Sequence, residues 1–268
     1  GAYLATNRYS KDRKKGYIGI EYSLVFTPDM LENLSEEQIY KLLLEKIKYN
    51  DFEYNKTARN KYIGKKPNAY GIDKILYKCP NCKTEYNLYT EDDSIICKCC
   101  GLKVKVNEYY DLESTTHNTI PKDIDEWYKW QRRCVVNEIK DNNFELSFSC
   151  TLATLKLDKL RKEPHNRNII SIGTATLSKE GLRIKGTINN QIADFDFLAK
   201  SLYSLTLSTK GYLEFYYNND YFLLIPDNPN QCLIKWTLAS EEIHNLYDEK
   251  WKSACADVYE YNKGDIYE

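Results

Sequence analysis

The chain has 268 residues, of which 42% are hydrophobic and 29% charged, a balance that supports packed cores and excludes a wholly disordered protein. Its 38 basic and 39 acidic residues leave a net charge of −1, so it lacks the overall positive charge that is typical of nucleic-acid-binding proteins. The longest purely apolar run, residues 221–225, is far shorter than the roughly 18 residues of a transmembrane helix. The sequence begins with Gly1 and has Met30 as its single methionine, which predicts a fragment or a trimmed product.

The N-terminal region begins with a basic stretch, followed by predicted strand and helix. Residues 17–26 are rich in β-branched and aromatic residues, which favours a strand. Ser35 and Gln38 form a capping-box pattern. The apolar residues after it follow the spacing of one helix face: Ile39, Leu42, Leu43 and Ile47. Residues 50–74 show no clear period and are predicted to form a loop.

Five of the nine cysteines fall between positions 79 and 100. Cys79-Pro80-Asn81-Cys82 and Cys97-Lys98-Cys99-Cys100 form two Cys-x-x-Cys units separated by fourteen residues. Strand-like segments, including residues 75–77, flank both units. This pattern predicts a zinc ribbon, in which each unit is a tight turn that points two thiolates at one ion.

The expected metal ligands are Cys79, Cys82, Cys97 and Cys100. Four soft thiolates suit tetrahedral Zn²⁺, and a site filled by four cysteines is structural because it leaves no position for water. An iron or iron–sulfur site is the alternative metal assignment. Cys99 can replace a neighbouring cysteine by spacing alone, although Gly101 favours Cys100, because glycine tolerates the left-handed turn behind the last ligand.

Zinc ribbons often bind nucleic acid, and a basic face would be needed for that. Residues 75–110 hold five basic and five acidic residues, a net charge of zero. A structural connection between neighbouring domains is therefore the preferred interpretation of the ribbon, and nucleic-acid contact is not expected.

The second half of the chain is predicted to be mainly antiparallel β-structure. A helix from Pro121 to about Ile139 precedes it. From Phe144 the apolar period becomes two, and short strands follow at 168–177, 181–188, 192–197, 202–208, 211–217, 221–226 and 232–238. Asn218-Asn219-Asp220 predicts a tight turn between two of them, because these residues tolerate positive φ. A helix beginning at Ser240 closes the region, with an apolar face of Ile243, Leu246, Tyr247 and Trp251. This order resembles pleckstrin-homology-like barrels, and a β-sandwich fits nearly as well.

Several segments together resemble bacterial phospholipid/glycerol acyltransferases of the lysophosphatidate acyltransferase family, in particular clostridial-type members. Gly1-Ala2-Tyr3-Leu4 and Arg8-Tyr9 are similar to the family's Gly-x-Tyr-Leu and Pro-Arg-Trp segment, with Asn7 in place of proline and Tyr9 in place of tryptophan. Further matching segments are Asp51-Phe52-Glu53-Tyr54, residues 71–80, Ile120-Pro121 and Trp127-Tyr128-Lys129-Trp130. The resemblance implies the part of such an enzyme that follows its catalytic core.

The family's catalytic His-x4-Asp motif is absent from this sequence. The residues five positions after His117, His165 and His244 are Lys122, Ile170 and Glu249, and no catalytic residue is assigned. The expected function is therefore the accessory C-terminal part of a glycerophospholipid acyltransferase, with an upstream catalytic domain as partner. The alternative is a non-enzymatic zinc-ribbon module that binds a protein or nucleic acid.

The expected fold is α+β, with five consecutive parts. These are an acyltransferase C-terminal segment (1–74), the zinc ribbon (75–110), a connecting helix (119–141), a β-domain with a capping helix (142–252) and a tail (253–268). A cytoplasmic location, peripheral on the inner face of the membrane, is expected. The residues predicted to face an anionic bilayer are Arg8, Lys11, Arg13, Lys14 and Lys15, whereas residues 239–268 are strongly acidic and would face the cytosol.

Overall fold

A computed structural model describes residues 1–116, 119–155 and 167–248, which form a mixed α/β protein with two antiparallel sheets and a C-terminal helix. The helices are α1 (Ala2–Ala5), α2 (Pro28–Asn33), α3 (Glu36–Ile47), α4 (Asp51–Ala58), α5 (Ile124–Ile139) and α6 (Ile234–His244). The first four strands are β1 (Leu88–Glu91), β2 (Ser94–Cys97), β3 (Lys103–Val106) and β4 (Leu112–Ser114). The remaining strands are β5 (Leu146–Leu155), β6 (Asn168–Ser178), β7 (Gly181–Ile188), β8 (Gln191–Ile192), β9 (Phe195–Leu198), β10 (Thr206–Leu207), β11 (Leu213–Tyr217) and β12 (Asp220–Pro226). Among the helices in these ranges, none has the length and apolarity to cross a bilayer.

The predicted strand at residues 17–26 is wrong, because this stretch is irregular. Its residues favour a strand, but no strand in the described part of the chain pairs with it. A strand needs such a hydrogen-bonded neighbour to form. The carbonyl of Tyr17 accepts a hydrogen bond from the Tyr62 hydroxyl at 2.9 Å, which holds the start of the segment against the protein. Farther along, Ile20 and Tyr22 are 75% and 91% exposed.

The helix predicted after Ser35 is confirmed as α3, and its capping box is present. Ser35 Oγ accepts from the Gln38 amide, and the Gln38 side chain accepts from the Ser35 amide. The predicted apolar face is poorly covered, however, since none of the helix residues is buried and Leu43 and Ile47 are exposed. Local capping and propensity thus define this helix with little tertiary packing.

The loop predicted for residues 50–74 is wrong in its first part, which forms α4. Asn50 caps this helix by accepting from the amides of Phe52 and Glu53 at 2.9 and 3.2 Å. Only two of its eight residues, Phe52 and Asn55, are buried. So narrow a buried stripe gives too weak a periodic signal to be recognised in the sequence.

The smaller sheet has the order β1-β2-β3-β4 and carries the second cysteine turn between β2 and β3, whereas the first turn is flanked by an isolated bridge between Lys78 and Glu85. The segment 75–77, expected to be a strand, lies outside this sheet and follows a short 3₁₀ turn at Ile72–Lys74. The apolar side chains of the smaller sheet share one core with residues from the N-terminal segment and from α5. Among the members of this first core are Leu4, Tyr9, Phe52, Tyr62, Ile95, Val104, Tyr110, Ile124, Trp127 and Trp130.

The larger sheet has eight strands among the described residues, in the order β10-β11-β12-β5-β6-β7-β8, with β9 also paired to β7. Its tight turns use residues that tolerate positive φ, as predicted at Asn218 and Asn219, where φ is 49° and 68°. Of the strand expected at 202–208, only the two residues of β10 form a strand. A 3₁₀ turn at Ala199–Ser201 precedes this region.

The larger sheet curls around a second core. The ring of Phe197 in β9 lies 5.0 Å from the rings of Phe215 in β11 and Phe222 in β12, measured between centroids. The Leu198 amide also donates to the Tyr217 hydroxyl at 3.3 Å. Strands far apart in the sheet order therefore meet across the same apolar interior, which α6 covers through Trp236.

The predicted strand at 232–238 is wrong, because these residues lead into and form the first part of α6. Ser240, predicted as a helix N-cap, is a buried interior residue that accepts from the Leu205 amide at 2.8 Å. Ten of the eleven residues in α6 are buried, so the helix has little amphipathic contrast and its sequence resembles that of a buried strand. Leu246 follows the helix and is 56% exposed, while Trp251 and the predicted tail lie outside the described residues.

Helix α5 connects the two cores. It begins at Ile124, slightly after the predicted start, with Asp123 as its N-cap. Its first half contributes Trp127 to the first core, and its second half contributes Val135 and Ile139 to the second.

Gln131 joins α5 to the segment before the first cysteine. Its side-chain amide donates to the Ile75 carbonyl at 2.6 Å and accepts from the Tyr77 amide at 3.0 Å. The Gln131 side chain therefore supplies the hydrogen bonds that a neighbouring strand would otherwise make to the Ile75 carbonyl and the Tyr77 amide. Gln131 is fully buried, so water cannot take over either hydrogen bond.

We expect Gln131→Met to destabilise the protein by about 3 kcal/mol, because it leaves one buried N–H and one buried C=O without partners. Asn137→Met is the matched control, since Asn137 is exposed on the same helix, and its expected effect is within about 0.5 kcal/mol. Urea unfolding followed by circular dichroism measures both. Equal stabilities of the two variants would contradict this role of Gln131.

Candidate metal centre

The structure brings the sulfurs of Cys79, Cys82, Cys97 and Cys100 within 4.8 Å of one another. Two of the distances are 3.7 Å, between Cys79 and Cys100, and 3.6 Å, between Cys82 and Cys97. A tetrahedral ion with metal–sulfur bonds of about 2.3 Å requires sulfurs about 3.8 Å apart. The cluster therefore has the ligand number and the spacing to hold one metal ion.

Two turns with the same backbone pattern position the four cysteines. In each, the amide of the first cysteine donates to the carbonyl five residues later, and the residue four positions after that cysteine donates back to its carbonyl. The distances are 3.0 Å for Cys79 N to Thr84 O, 3.0 Å for Lys83 N to Cys79 O, 2.9 Å for Cys97 N to Leu102 O and 3.0 Å for Gly101 N to Cys97 O. The backbone alone thus aims both thiols of each turn towards a common point.

Each turn also places the residue after its second cysteine in the left-handed region. Gly101 has a φ of +72° and Lys83 a φ of +62°. The sequence predicts this conformation at Gly101 but not at Lys83, because lysine gives no such signal. A residue with a Cβ is strained there, and the equivalence of the two turns is the only feature that points to it.

The surroundings of the sulfurs affect their protonation in opposite ways. Burial raises the pKa of the Cys79 thiol. Burial also acts to raise that of Cys82, but hydrogen bonds from the Thr84 hydroxyl and amide outweigh it and lower the pKa of Cys82 to about 6. Cys82 is therefore the more acidic of these two thiols, and a metal ion would displace the proton of Cys79.

Cys99 is exposed and lies outside the set of four cysteines whose sulfurs come together. The geometry therefore selects Cys97 and Cys100, which resolves the ambiguity that spacing alone leaves.

A ring of four alternating charges links the first cysteine turn to helices α5 and α6. Lys78 and Glu85 flank the turn, Glu138 lies in α5 and Lys235 lies in α6. The four nitrogen–oxygen distances are 3.2 Å for Lys78–Glu85, 2.9 Å for Lys78–Glu138, 2.8 Å for Lys235–Glu85 and 2.6 Å for Lys235–Glu138. Burial acts to raise the pKa of Glu138, but the two ammonium groups outweigh it and lower that pKa. The candidate metal centre is thus tied to the junction of the two cores.

None of the other candidate residues that the structure describes joins the four cysteines. His244 is buried at the end of α6, with Nδ1 3.0 Å from the Ala199 carbonyl oxygen, whereas His117 and His165 lie outside the described residues. Of the five basic residues predicted to face a bilayer, Arg8, Lys11, Arg13 and Lys15 are exposed. Lys14 is buried, which corrects its assignment as a membrane contact; its ammonium group lies 3.2 Å from the Lys66 carbonyl oxygen.

Replacing one metal-ligand cysteine should remove most of the bound metal, because three thiolates leave the tetrahedron incomplete. We expect Cys100→Ser to carry well below one metal ion per chain and Cys99→Ser, its adjacent control, to carry one. Elemental analysis of protein purified without added metal measures both. A wild-type content well below one, or equal loss in the two variants, would contradict the site.

Glycine should be more stable than alanine at both left-handed positions. We expect Gly101→Ala to cost about 1 kcal/mol and Lys83→Gly to be about 1 kcal/mol more stable than Lys83→Ala. The alanine variant is the control, because both variants lose the contact of Lys83 with the Trp130 ring at 5.2 Å. Thermal unfolding of metal-loaded protein gives the comparison, and a more stable Lys83→Ala would refute the argument.

Comparison with protein-family models, with curated proteins and with solved structures found no match to this chain.

Proposed function

We propose that this chain is the non-catalytic C-terminal region of a glycerophospholipid acyltransferase, in which a structural zinc ribbon connects two packed units. The observation that carries the structural part is the position of the four sulfurs, at tetrahedral spacing beside the charged junction of α5 and α6. A site with four cysteine ligands has no open position for a reacting water. Its role is then to stabilise the fold.

Zinc is the proposed ion, because four thiolates in a tetrahedron suit it and because it needs no redox partner. The short strands beside the cysteine turns support the ribbon assignment. An iron site is distinguishable by visible absorption, which zinc lacks. Colourless protein with one zinc per chain supports the proposal, and a coloured iron protein would refute it.

The acyltransferase assignment rests on the resemblance of the N-terminal segment and of the segments around the ribbon. The structure gives physical roles to two residues that depart from the family pattern. Asn7 is buried and donates to the Tyr110 hydroxyl at 2.8 Å, and Tyr9 packs in the first core. These substitutions are compatible with a packed segment at this position. The poorly covered apolar side of α3 supports the presence of a further domain beside it.

The larger sheet supports the proposed pleckstrin-homology-like barrel over a sandwich. Its rings at Phe197, Phe215 and Phe222 meet across one interior, whereas a sandwich packs two separate sheets face to face. Helix α6 follows the last strand and packs against that interior, as a capping helix would. We propose no ligand for this domain.

The test is to read the coding sequence upstream of the Gly1 codon and to assay the complete product. We expect an upstream His-x4-Asp motif and acyl transfer from a thioester donor to lysophosphatidate, lost when that histidine becomes alanine. The present chain alone should be inactive. A start codon close to Gly1, or a complete product without transfer, would refute the acyltransferase and favour a zinc-ribbon binding module.

A further inference from the structure

Two distant segments form one surface at the N-terminal end of the molecule. Lys15 pairs with Ile63 in an antiparallel bridge. The Asp12 carboxylate accepts from the Lys66 amide at 3.0 Å, and the Lys74 ammonium group donates to the Tyr9 carbonyl at 3.4 Å. These contacts join the segments 8–24 and 60–74 through residues 9–15 and 63–74, an arrangement that the sequence does not reveal.

This combined surface, called here the basic surface, concentrates positive charge in a chain that is otherwise acidic. Residues 8–24 and 60–74 contain nine basic and three acidic residues, a net charge of +6, although the whole chain has −1. Two of the nine pair with carboxylates: Lys14 is buried beside Asp12, and Lys61 pairs with Glu108. The other seven are exposed: Arg8, Lys11, Arg13, Lys15, Lys65, Lys66 and Lys74.

Exposed apolar side chains follow the first group of these charges along the chain, and one lies in the second segment. Ile18, Ile20 and Leu24 are 48%, 75% and 78% exposed, and Ile63 of the second segment is 56% exposed. Tyrosine rings accompany them at Tyr17, Tyr22 and Tyr70. Aliphatic and tyrosine side chains next to lysines are the combination that partitions into the headgroup region of a bilayer.

We propose that the basic surface docks on an anionic lipid bilayer, with the exposed lysines and arginines at the headgroups and Ile18, Ile20 and Leu24 inserted between them. Charge alone would fit nucleic acid too, but exposed aliphatic side chains have no partner on a phosphate backbone and have one in acyl chains. The proposal does not depend on the acyltransferase assignment, since vesicle binding needs no catalytic domain.

The test is co-sedimentation of the metal-loaded chain with phosphatidylcholine vesicles containing 30% phosphatidylglycerol at low salt. The charge variant is Lys11→Gln/Lys15→Gln/Lys65→Gln, and its matched control, Lys185→Gln/Lys200→Gln/Lys210→Gln, removes three exposed lysines from the β-domain. The apolar variant is Ile20→Ser/Leu24→Ser. Metal content and thermal unfolding verify that each variant is folded.

We expect the charge variant to bind anionic vesicles at least tenfold more weakly than wild type and the control to bind within twofold. The apolar variant should lose the fraction of binding that survives high salt. No wild-type binding to anionic vesicles, or equal weakening by the charge variant and its control, would overturn the proposal. Single-stranded DNA binding without vesicle binding, reduced by the charge variant, would overturn it in favour of a nucleic-acid surface.

Discussion

Each strand of the cysteine-bearing sheet is only three or four residues long, and a sheet of that size cannot bury enough apolar surface to be stable alone. Two other contributions can supply the missing stability. The four sulfurs can hold an ion whose binding adds directly to folding stability. The first core also includes side chains from the N-terminal segment and from α5, such as Leu4 and Trp127.

This shared packing depends on helix α5. Its two halves serve different cores, and between them Gln131 supplies hydrogen bonds to a backbone segment that lacks a strand partner. Arg132 on the same helix reaches α6, with its guanidinium 2.6 Å from Glu241 and 2.5 Å from Glu242. A single helix therefore contacts both the segment before the first cysteine turn and the helix that covers the larger sheet, so that the cysteine turns, α5 and α6 stabilise one another.

Features with short-range causes were predictable from the sequence. The cysteine spacing predicts the turns, the Ser35 pattern predicts a capped helix, and Asn218 with Asn219 predicts a tight hairpin. Features that depend on distant partners were not. Residues 17–26 have strand propensity without a neighbouring strand, α6 is buried on all sides and so lacks helical contrast, and Gln131 acts through backbone groups more than fifty positions away. Lys14 and Lys15 are adjacent in sequence, yet only the structure separates the buried charge from the exposed one.

The charged ring has an evolutionary consequence. Each lysine contacts both glutamates, and each glutamate contacts both lysines. Loss of any one member leaves an unbalanced charge at a partly buried junction, which is more costly than loss of a complete pair. Neutral drift at these positions should therefore remove one lysine together with one glutamate, so that Lys78, Glu85, Glu138 and Lys235 should vary together in descendants of this sequence although they span more than 150 positions.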